Sequence, residues 1–298
     1  MADVAHRITD KKLAKMERKL SAIYSRAGKE LEAAAKEFFD QYKAKDAAKK
    51  LLVESGDLSQ EEYLRWRRTQ IFMGDHYARL QEKAAQELLN ADRTAMEYIN
   101  GELPEIYAMN YNSAGNGVSS LVRGYSFEMT DANTIRNLAT KNKTLLPYKI
   151  VDGKKAIRLN TQRINSEVLQ GLLQGESMGK IAKRFQTAIP EMNAVSAIRN
   201  ARTSVTSAEN KGRMDSYAKA QEDGVIMKRV WLAMHDHRTR PEHLELDGQE
   251  ADIDEPFYNS LGAIMYPGDP NADPANVYNC RCSLKSKVIG FKPIEVKK

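Results

Sequence analysis

The stretch P-E-M-N-A-V-S-A-I-R-N-A-R-T-S-V-T-S-A-E-N-K-G-R-M-D-S-Y-A-K-A-Q-E-D-G-V-I-M-K-R-V-W-L-A-M, Pro190 to Met234, decides the fold class. Pro190 suits the first position of a helix, where the missing N–H would have no intrahelical partner anyway. The helix it opens runs to Asp223 and stops at Gly224. Val225 to Met234 then reads as a strand, and Pro, Gly and Asp become frequent beyond it. A long helix feeding a strand predicts a small α+β C-terminal domain with few strands and long loops. Ile264-Met265-Tyr266 is a short apolar piece, and Asn279 to Val288 alternates well enough to be the final strand.

Upstream, the patterning is mostly helical. Leu13, Met16, Leu20, Ile23, Ala27, Leu31, Ala34, Phe38 and Tyr42 recur in steps of three and four, drawing one apolar stripe down a helix that breaks at Ser55-Gly56-Asp57. Ser59 followed by Glu62 is a capping box that opens a second helix. Its stripe runs Trp66, Met73, Tyr77, Leu80, Ala84, Leu88, Ala91, Ala95 and Tyr98, with Gly101 and Pro104 as interruptions and Asn110-Tyr111-Asn112 as its end. Residues 1–112 thus form a helical hairpin or arm of architectural character. In the connecting region 113–159, Ser113 to Gly117 reads as a loop and Asp131 to Lys141 as a short helix capped by Thr130 or Asp131. Asp152-Gly153 between apolar flanks predicts a β-hairpin over 148–159. Helices follow at Thr161–Leu173 and Ser177–Thr187.

The bulk numbers exclude several classes. The chain has 298 residues, 42% hydrophobic and 29% charged, enough to bury a core under a charged surface. No apolar run approaches the roughly 20 residues of a membrane span, and the N-terminus lacks the apolar core of a secretion signal. A soluble protein made in a cytoplasm is expected. The two cysteines, Cys280 and Cys282, are too close along the chain to make a good disulfide and fit reduced thiols. The net charge of +6 is unevenly spread: zero over 1–112, +7 over 113–224, −6 over 225–275 and +5 over 276–298. The basic middle suits contact with a polyanion, and the same numbers also suit ordinary solvated surface.

The last hundred residues carry an ordered set of motifs. A-I-R-N-A-R-T-S-V-T-S-A-E-N-K-G-R (Ala197 to Arg213) precedes W-L-A-M-H-D-H-R-T-R-P-E-H-L-E-L-D-G-Q (Trp231 to Gln249), then M-Y-P-G-D-P (Met265 to Pro270) and N-C-R-C (Asn279 to Cys282). This order resembles the Mu F-like phage head-morphogenesis domain, here over about 160–290, with 291–298 as a basic tail. The motif residues are Arg202, Thr203, Trp231, Asp236, Arg238, Thr239, Asp247, Gly248, Pro267, Gly268, Asp269, Asn279 and Arg281.

The resemblance implies a minor capsid protein rather than an enzyme. It would be packaged inside the virion head, associated with the phage portal protein and meeting the major capsid or scaffold protein. Some members carry toxin or nuclease domains after this module, and with about ten residues beyond the last strand none is expected here. Part of the family has paired cysteines in the D-x-R-T segment and a histidine before N-C-R-C that together resemble a zinc site. Here Arg240, His243 and Val277 stand at those positions, so that branch's ligand set is incomplete.

His235, His237, His243, Cys280 and Cys282 are the clustered soft or imidazole donors of the chain, and His237, His243, Cys280 and Cys282 are the candidate metal ligands. No cofactor is required by this reading, and zinc is the metal such a set would take. Equally, the cysteines can be small residues packing the last strand, with the histidines in a polar loop. A metal-dependent, nuclease-like enzyme is the alternative function, with H-D-H and His243 supplying ligands and a base. Asp236 with Arg238, Thr239 and Arg240 reads instead as a loop-locking network. Packaged double-stranded DNA is a further partner, held non-specifically, with Lys141, Lys143, Lys154, Lys155, Arg158, Lys183 and Arg184 as contact candidates.

Overall fold

The computed structural model describes residues 4–72, 75–131, 133, 134, 137 and 151–292. Along the chain these form helices α1 (Val4–Ser55), α2 (Gln60–Phe72), α3 (Asp75–Leu121), α4 (Gly153–Leu173), α5 (Met178–Gln186) and α6 (Ala188–Glu222). Strand β1 (Val225–Leu232), α7 (Pro241–Glu245), β2 (Glu250–Ala251), β3 (Phe257–Asn259), β4 (Gly262–Ile264), α8 (Pro274–Val277) and β5 (Ser283–Phe291) follow. The fold is α+β, with a long N-terminal helix and a small C-terminal sheet. No described helix is long and apolar enough to cross a membrane.

The predicted stripes are the buried faces. Met16, Leu20, Ala27, Leu31 and Phe38 of α1 are buried, as are Tyr77, Leu80, Ala84, Leu88, Ala91 and Ala95 of α3. Among the described side chains of α2, Tyr63 and Arg67 are buried, and Trp66 is only half-buried. The capping box forms as read: Ser59 N–H donates to Glu62 Oε2 at 3.1 Å, and Glu62 N–H donates to Ser59 Oγ at 3.2 Å. Gly56, with φ of 85°, supplies the left-handed turn after α1.

Several expectations are corrected. Asn110-Tyr111-Asn112 does not end the second helical region, and Ser113 to Gly117 is not a loop, because α3 continues through both to Leu121. The asparagine amides bond sideways instead of forming local turns. Asn110 Nδ2 donates to Thr9 Oγ1 at 3.0 Å, and Asn112 exchanges bonds with the backbone of Thr130. Gly115 is needed for packing, since a Cβ there would lie 2.2 Å from the Phe127 ring. The Asp152-Gly153 hairpin is also absent: Gly153 to Leu159 are helical, and Asp152 is the N-cap of α4, its carboxylate accepting the N–H of Lys155 at 3.2 Å. The same side chain that would favour a tight turn satisfies an orphan donor of a helix. The first strand of that hairpin lies outside the described residues at 148–150. So does most of the predicted helix at 131–141, although Asp131 Oδ1 does accept the N–H groups of Asn133 and Thr134.

The chain divides into two compact units. One comprises 18–96 and 150–197 and is all helical. Its core joins Leu31, Phe38 and Phe39 of α1 and Leu80 and Leu88 of α3 to Ile164, Val168 and Leu172 of α4 and Phe185 of α5. The other comprises 1–17, 97–149 and 198–298. Its core sets Val118 of α3 and Tyr217 of α6 with Met227, Trp231, Phe257, Ile264, Tyr266, Cys280, Cys282 and Leu284. Here β1 is the central strand of an antiparallel sheet ordered β2-β1-β5, paired with β5 from Val225↔Phe291 to Leu232↔Ser283. β3 and β4 form a separate hairpin. The final strand therefore starts at Ser283, not at Asn279, and the N-C-R-C segment lies just before the ladder begins.

Candidate functional site: the N-C-R-C segment and its histidine

Thr203, Thr206, Asn210 and Arg213 recur on α6 at steps of three and four, so they share one helix face. That face grips the backbone entering β5. Thr203 Oγ1 accepts the N–H of Asn279 at 3.0 Å, and Thr206 Oγ1 donates to the Cys280 carbonyl at 2.6 Å. Asn210 donates to the Cys282 carbonyl at 3.2 Å while accepting the Leu284 N–H at 2.9 Å, and Arg213 Nη1 donates to the Leu284 carbonyl at 3.0 Å. The polar helix face thus substitutes for a missing neighbouring strand. Asn279 takes a left-handed conformation, φ of 60°, which turns the chain into this cradle.

The turn delivers both cysteines to one imidazole. Pro241 opens α7, which carries the buried His243. Its Nδ1 lies 3.5 Å from Cys280 Sγ and 3.5 Å from Cys282 Sγ, and all three residues are buried. Nε2 lies 3.0 Å from the Asn276 carbonyl, which can only accept, so Nε2 carries a proton. Asn276 is in turn held by a reciprocal amide pair with Asn259 at 2.8 and 3.1 Å. Cys280 Sγ accepts the backbone N–H of Cys282 at 3.3 Å. Hydrogen bonding from Cys280 and the nearby His243 pull the Cys282 thiol well below its ordinary value. The same sharing with Cys282, together with burial, pushes Cys280 up. Both cysteines are free thiols, as their spacing implied. A cavity of about 170 Å³ opens beside the group, and Arg238, Arg240 and Arg281 contribute to its lining.

Of the four ligand candidates, the structure gathers His243, Cys280 and Cys282. His237 is exposed and lies outside the group, and His235 is also exposed, its Nε2 2.9 Å from Asp247. The reason is a long-range pairing: Asp236 is drawn down by Arg281 through two bonds of 2.6 and 2.7 Å, which turns the H-D-H loop outward. That pairing holds the Asp236 carboxyl well below the usual carboxylate range. The predicted loop lock is therefore real in kind, with Arg281 as the bidentate partner. Arg238 contributes its backbone N–H to Asp236 at 2.9 Å, and Arg240 reaches the Tyr278 carbonyl.

The other motif positions are turn and packing devices. Asp247 accepts the Ala233 N–H at 2.8 Å, and Gly248 N–H returns to the Trp231 carbonyl at 2.9 Å. Trp231 is fully buried, edge-on to Phe257 at 5.3 Å between ring centroids. Pro267 precedes Gly268, which has φ of 83° and backs onto α6 so closely that a Cβ would lie 2.7 Å from Ser207 N. Asp269 accepts the N–H groups of Met265 and Asn271 at 3.2 and 2.9 Å. Arg202 pairs with Glu17 at 2.6 Å.

Arg229 was missed by the sequence reading. It is fully buried on β1, donates to the Asp252 carbonyl at 2.7 Å and to the Met265 and Glu255 carbonyls, and lies 5.0 Å from the Phe257 ring centroid. Burial pushes its pKa down to about 10. Its signal was available, because strand alternation puts it on the inward face with Met227 and Trp231. Likewise unread, the buried Glu209 lies 2.7 Å from His6 Nδ1 and 3.1 Å from Arg213 Nη2.

Among the DNA-contact candidates, Lys154, Lys155 and Arg158 are exposed on the first turns of α4, and Lys183 is exposed on α5. Arg184 is half-buried and paired with Glu167 and Glu176 at 2.7 and 2.8 Å. Lys141 and Lys143 lie outside the described residues.

Residues 162–285 match the family model described as Phage Mu protein F like protein. The chain is 25% identical to the minor head protein GP7 of Bacillus phage SPP1, over 95% of this chain and 86% of that protein. It is also 34% identical to an NAD(+)–arginine ADP-ribosyltransferase, EFV, of Enterococcus faecalis, over 44% of this chain and 27% of that protein. The chain thus spans only about a quarter of the transferase's length. No solved structure matches. The matched segment contains α6, the H-D-H loop, the Y-P-G-D-P turn and the N-C-R-C cradle, and over these residues the chain is similar to the phage Mu protein F-like family.

Proposed function

We propose that the chain is a structural component of a tailed-phage head, a minor head protein that works in morphogenesis rather than in catalysis. The observation that carries this reading is the end-to-end similarity to a minor head protein, which covers nearly all of both chains. The motif residues support it physically, since most of them are spent on turns, on an ion pair and on the α6 cradle. Within this reading the chain resides inside the head, associates with the portal and meets the major capsid or scaffold protein. It touches packaged DNA without sequence preference through exposed cations such as Lys154, Lys155 and Arg158. The similarity to the ADP-ribosyltransferase supports a shared module only, because it accounts for 27% of that protein.

The test is to produce phage particles with and without the chain and compare yield, DNA content and infectivity. Loss of one or more of these, restored by supplying the chain, is expected. Particles indistinguishable in all three would overturn the reading.

A further inference from the structure

We propose that His243, Cys280 and Cys282 bind one thiophilic divalent ion, zinc in the cell, as a three-ligand site whose fourth position is taken by a water or a small anion from the arginine-lined cavity. The inference is independent of the head-protein reading and rests on the geometry of the group.

Zinc bonds of about 2.3 Å to sulfur and about 2.0–2.1 Å to imidazole nitrogen, at a tetrahedral angle, set sulfur and nitrogen about 3.6 Å apart. The two observed separations are 3.5 Å each. A single Nδ1 facing two sulfurs equally is poorly explained by hydrogen bonding alone. A neutral imidazole has one lone pair there, and a protonated one has one N–H. A cation at the common focus satisfies all three atoms.

The surroundings have the form that metal sites require. Nε2–H is used on the Asn276 carbonyl, which fixes the tautomer with the Nδ1 lone pair toward the sulfurs. The Asn259–Asn276 amide pair holds that carbonyl in place. A backbone N–H already points at Cys280 Sγ, as suits a thiolate. The group joins the loop after β1 to the start of β5, so an ion there would tie the two ends of the motif together.

Three protein ligands leave one position open. The adjoining cavity of about 170 Å³ is the space for it, and Arg238, Arg240 and Arg281 give that space positive character. Two thiolates neutralise the ion's charge, so an anionic fourth ligand would be balanced by these guanidinium groups.

The experiment uses the full chain, reduced, stripped with chelator and titrated with Co²⁺. Wild type is expected to saturate at one equivalent with thiolate-to-cobalt charge-transfer absorption and strong tetrahedral d–d bands, and Zn²⁺ should bleach both. His237→Ala should behave as wild type, whereas Cys280→Ser, Cys282→Ser and His243→Ala should bind more than about a hundredfold more weakly, beyond the roughly ten- to hundredfold lost with an outer partner. Added thiocyanate should shift the d–d bands. Absence of the charge-transfer band in wild type would overturn the site without recourse to variants that fail to fold. A charge-transfer band of undiminished intensity and affinity in Cys282→Ser, or one lost in a folded His237→Ala, would overturn the ligand set. A d–d spectrum indifferent to thiocyanate would overturn the open position.

Discussion

Thr203 on α6 accepts the backbone N–H of Asn279 through its hydroxyl oxygen at 3.0 Å, and this bond marks the point where the chain is turned into the helix-backed cradle. Asn210 makes two bonds in that cradle, its amide serving Cys282 and Leu284 together. Asn210→Ala would leave a buried N–H and a buried carbonyl unpaired, at a cost of about 2–3 kcal/mol. Thr203→Val removes a single acceptor and should cost about 1 kcal/mol. Urea unfolding followed by Trp231 fluorescence in a Trp66→Phe background measures both. Equal, negligible shifts would show that the cradle does not hold the segment.

Two glycines separate backbone freedom from close approach. Gly248 and Gly268 both have positive φ, 76° and 83°, but only Gly268 would place a Cβ against the α6 backbone, 2.7 Å from Ser207 N. Gly248→Ala should cost about 1–2 kcal/mol from conformation alone. Gly268→Ala should cost clearly more, because a helix backbone must also move. A ranking of thermal midpoints with Gly268→Ala at or above Gly248→Ala would contradict this packing.

The N-terminal helix carries a pH-dependent contact. His6 faces Glu209, with Asp10 and Arg213 nearby. Burial and Arg213 would lower its pKa, but the bond to Glu209 and the charges of Glu209 and Asp10 prevail, so the value is raised above the ordinary 6.5. A raised folded value means that the contribution is complete below about 6.5 and disappears as pH climbs through the folded value. Unfolding midpoints should therefore be higher at about pH 6 than at about pH 8, and His6→Gln should flatten that difference. A wild-type midpoint that rises over this range in step with His6→Gln would count against the pairing.

The sequence was legible where local and tertiary demands coincide. The Ser59–Glu62 box, the stop at Gly224 and the apolar stripes of α1 and α3 each serve a local rule and a packing need at once. It misled where one residue type has two uses. Asp152-Gly153 is turn chemistry and also cap chemistry, and the choice fell to the helix that follows. Asn110 and Asn112 are turn formers in isolation, yet here their amides find Thr9 and Thr130 far along the chain. The candidate site was half legible: the ordered motifs and the ligand types could be read, but Asp236 choosing Arg281, and so turning His237 outward, depends on a contact across 45 positions. The α6 grip was hidden because Thr206, Asn210 and Arg213 look like an ordinary polar helix face.

The exposed cations on the first turns of α4 give a salt-dependence test. If Lys154, Lys155 and Arg158 each neutralise one phosphate, replacing all three by Ala should make the slope of log affinity against log salt shallower by about 2–3 units for double-stranded DNA. Filter binding or fluorescence anisotropy over a salt series reads this directly. An unchanged slope would remove these side chains from any DNA contact.

The most direct test of the head-protein role is co-expression of the chain with the portal and major capsid proteins of the same phage, followed by procapsid isolation and quantitative mass spectrometry. The expected result is recovery in particles at a fixed, low copy number that disappears when the portal is omitted. A chain found free in the lysate and absent from portal-containing particles would contradict it.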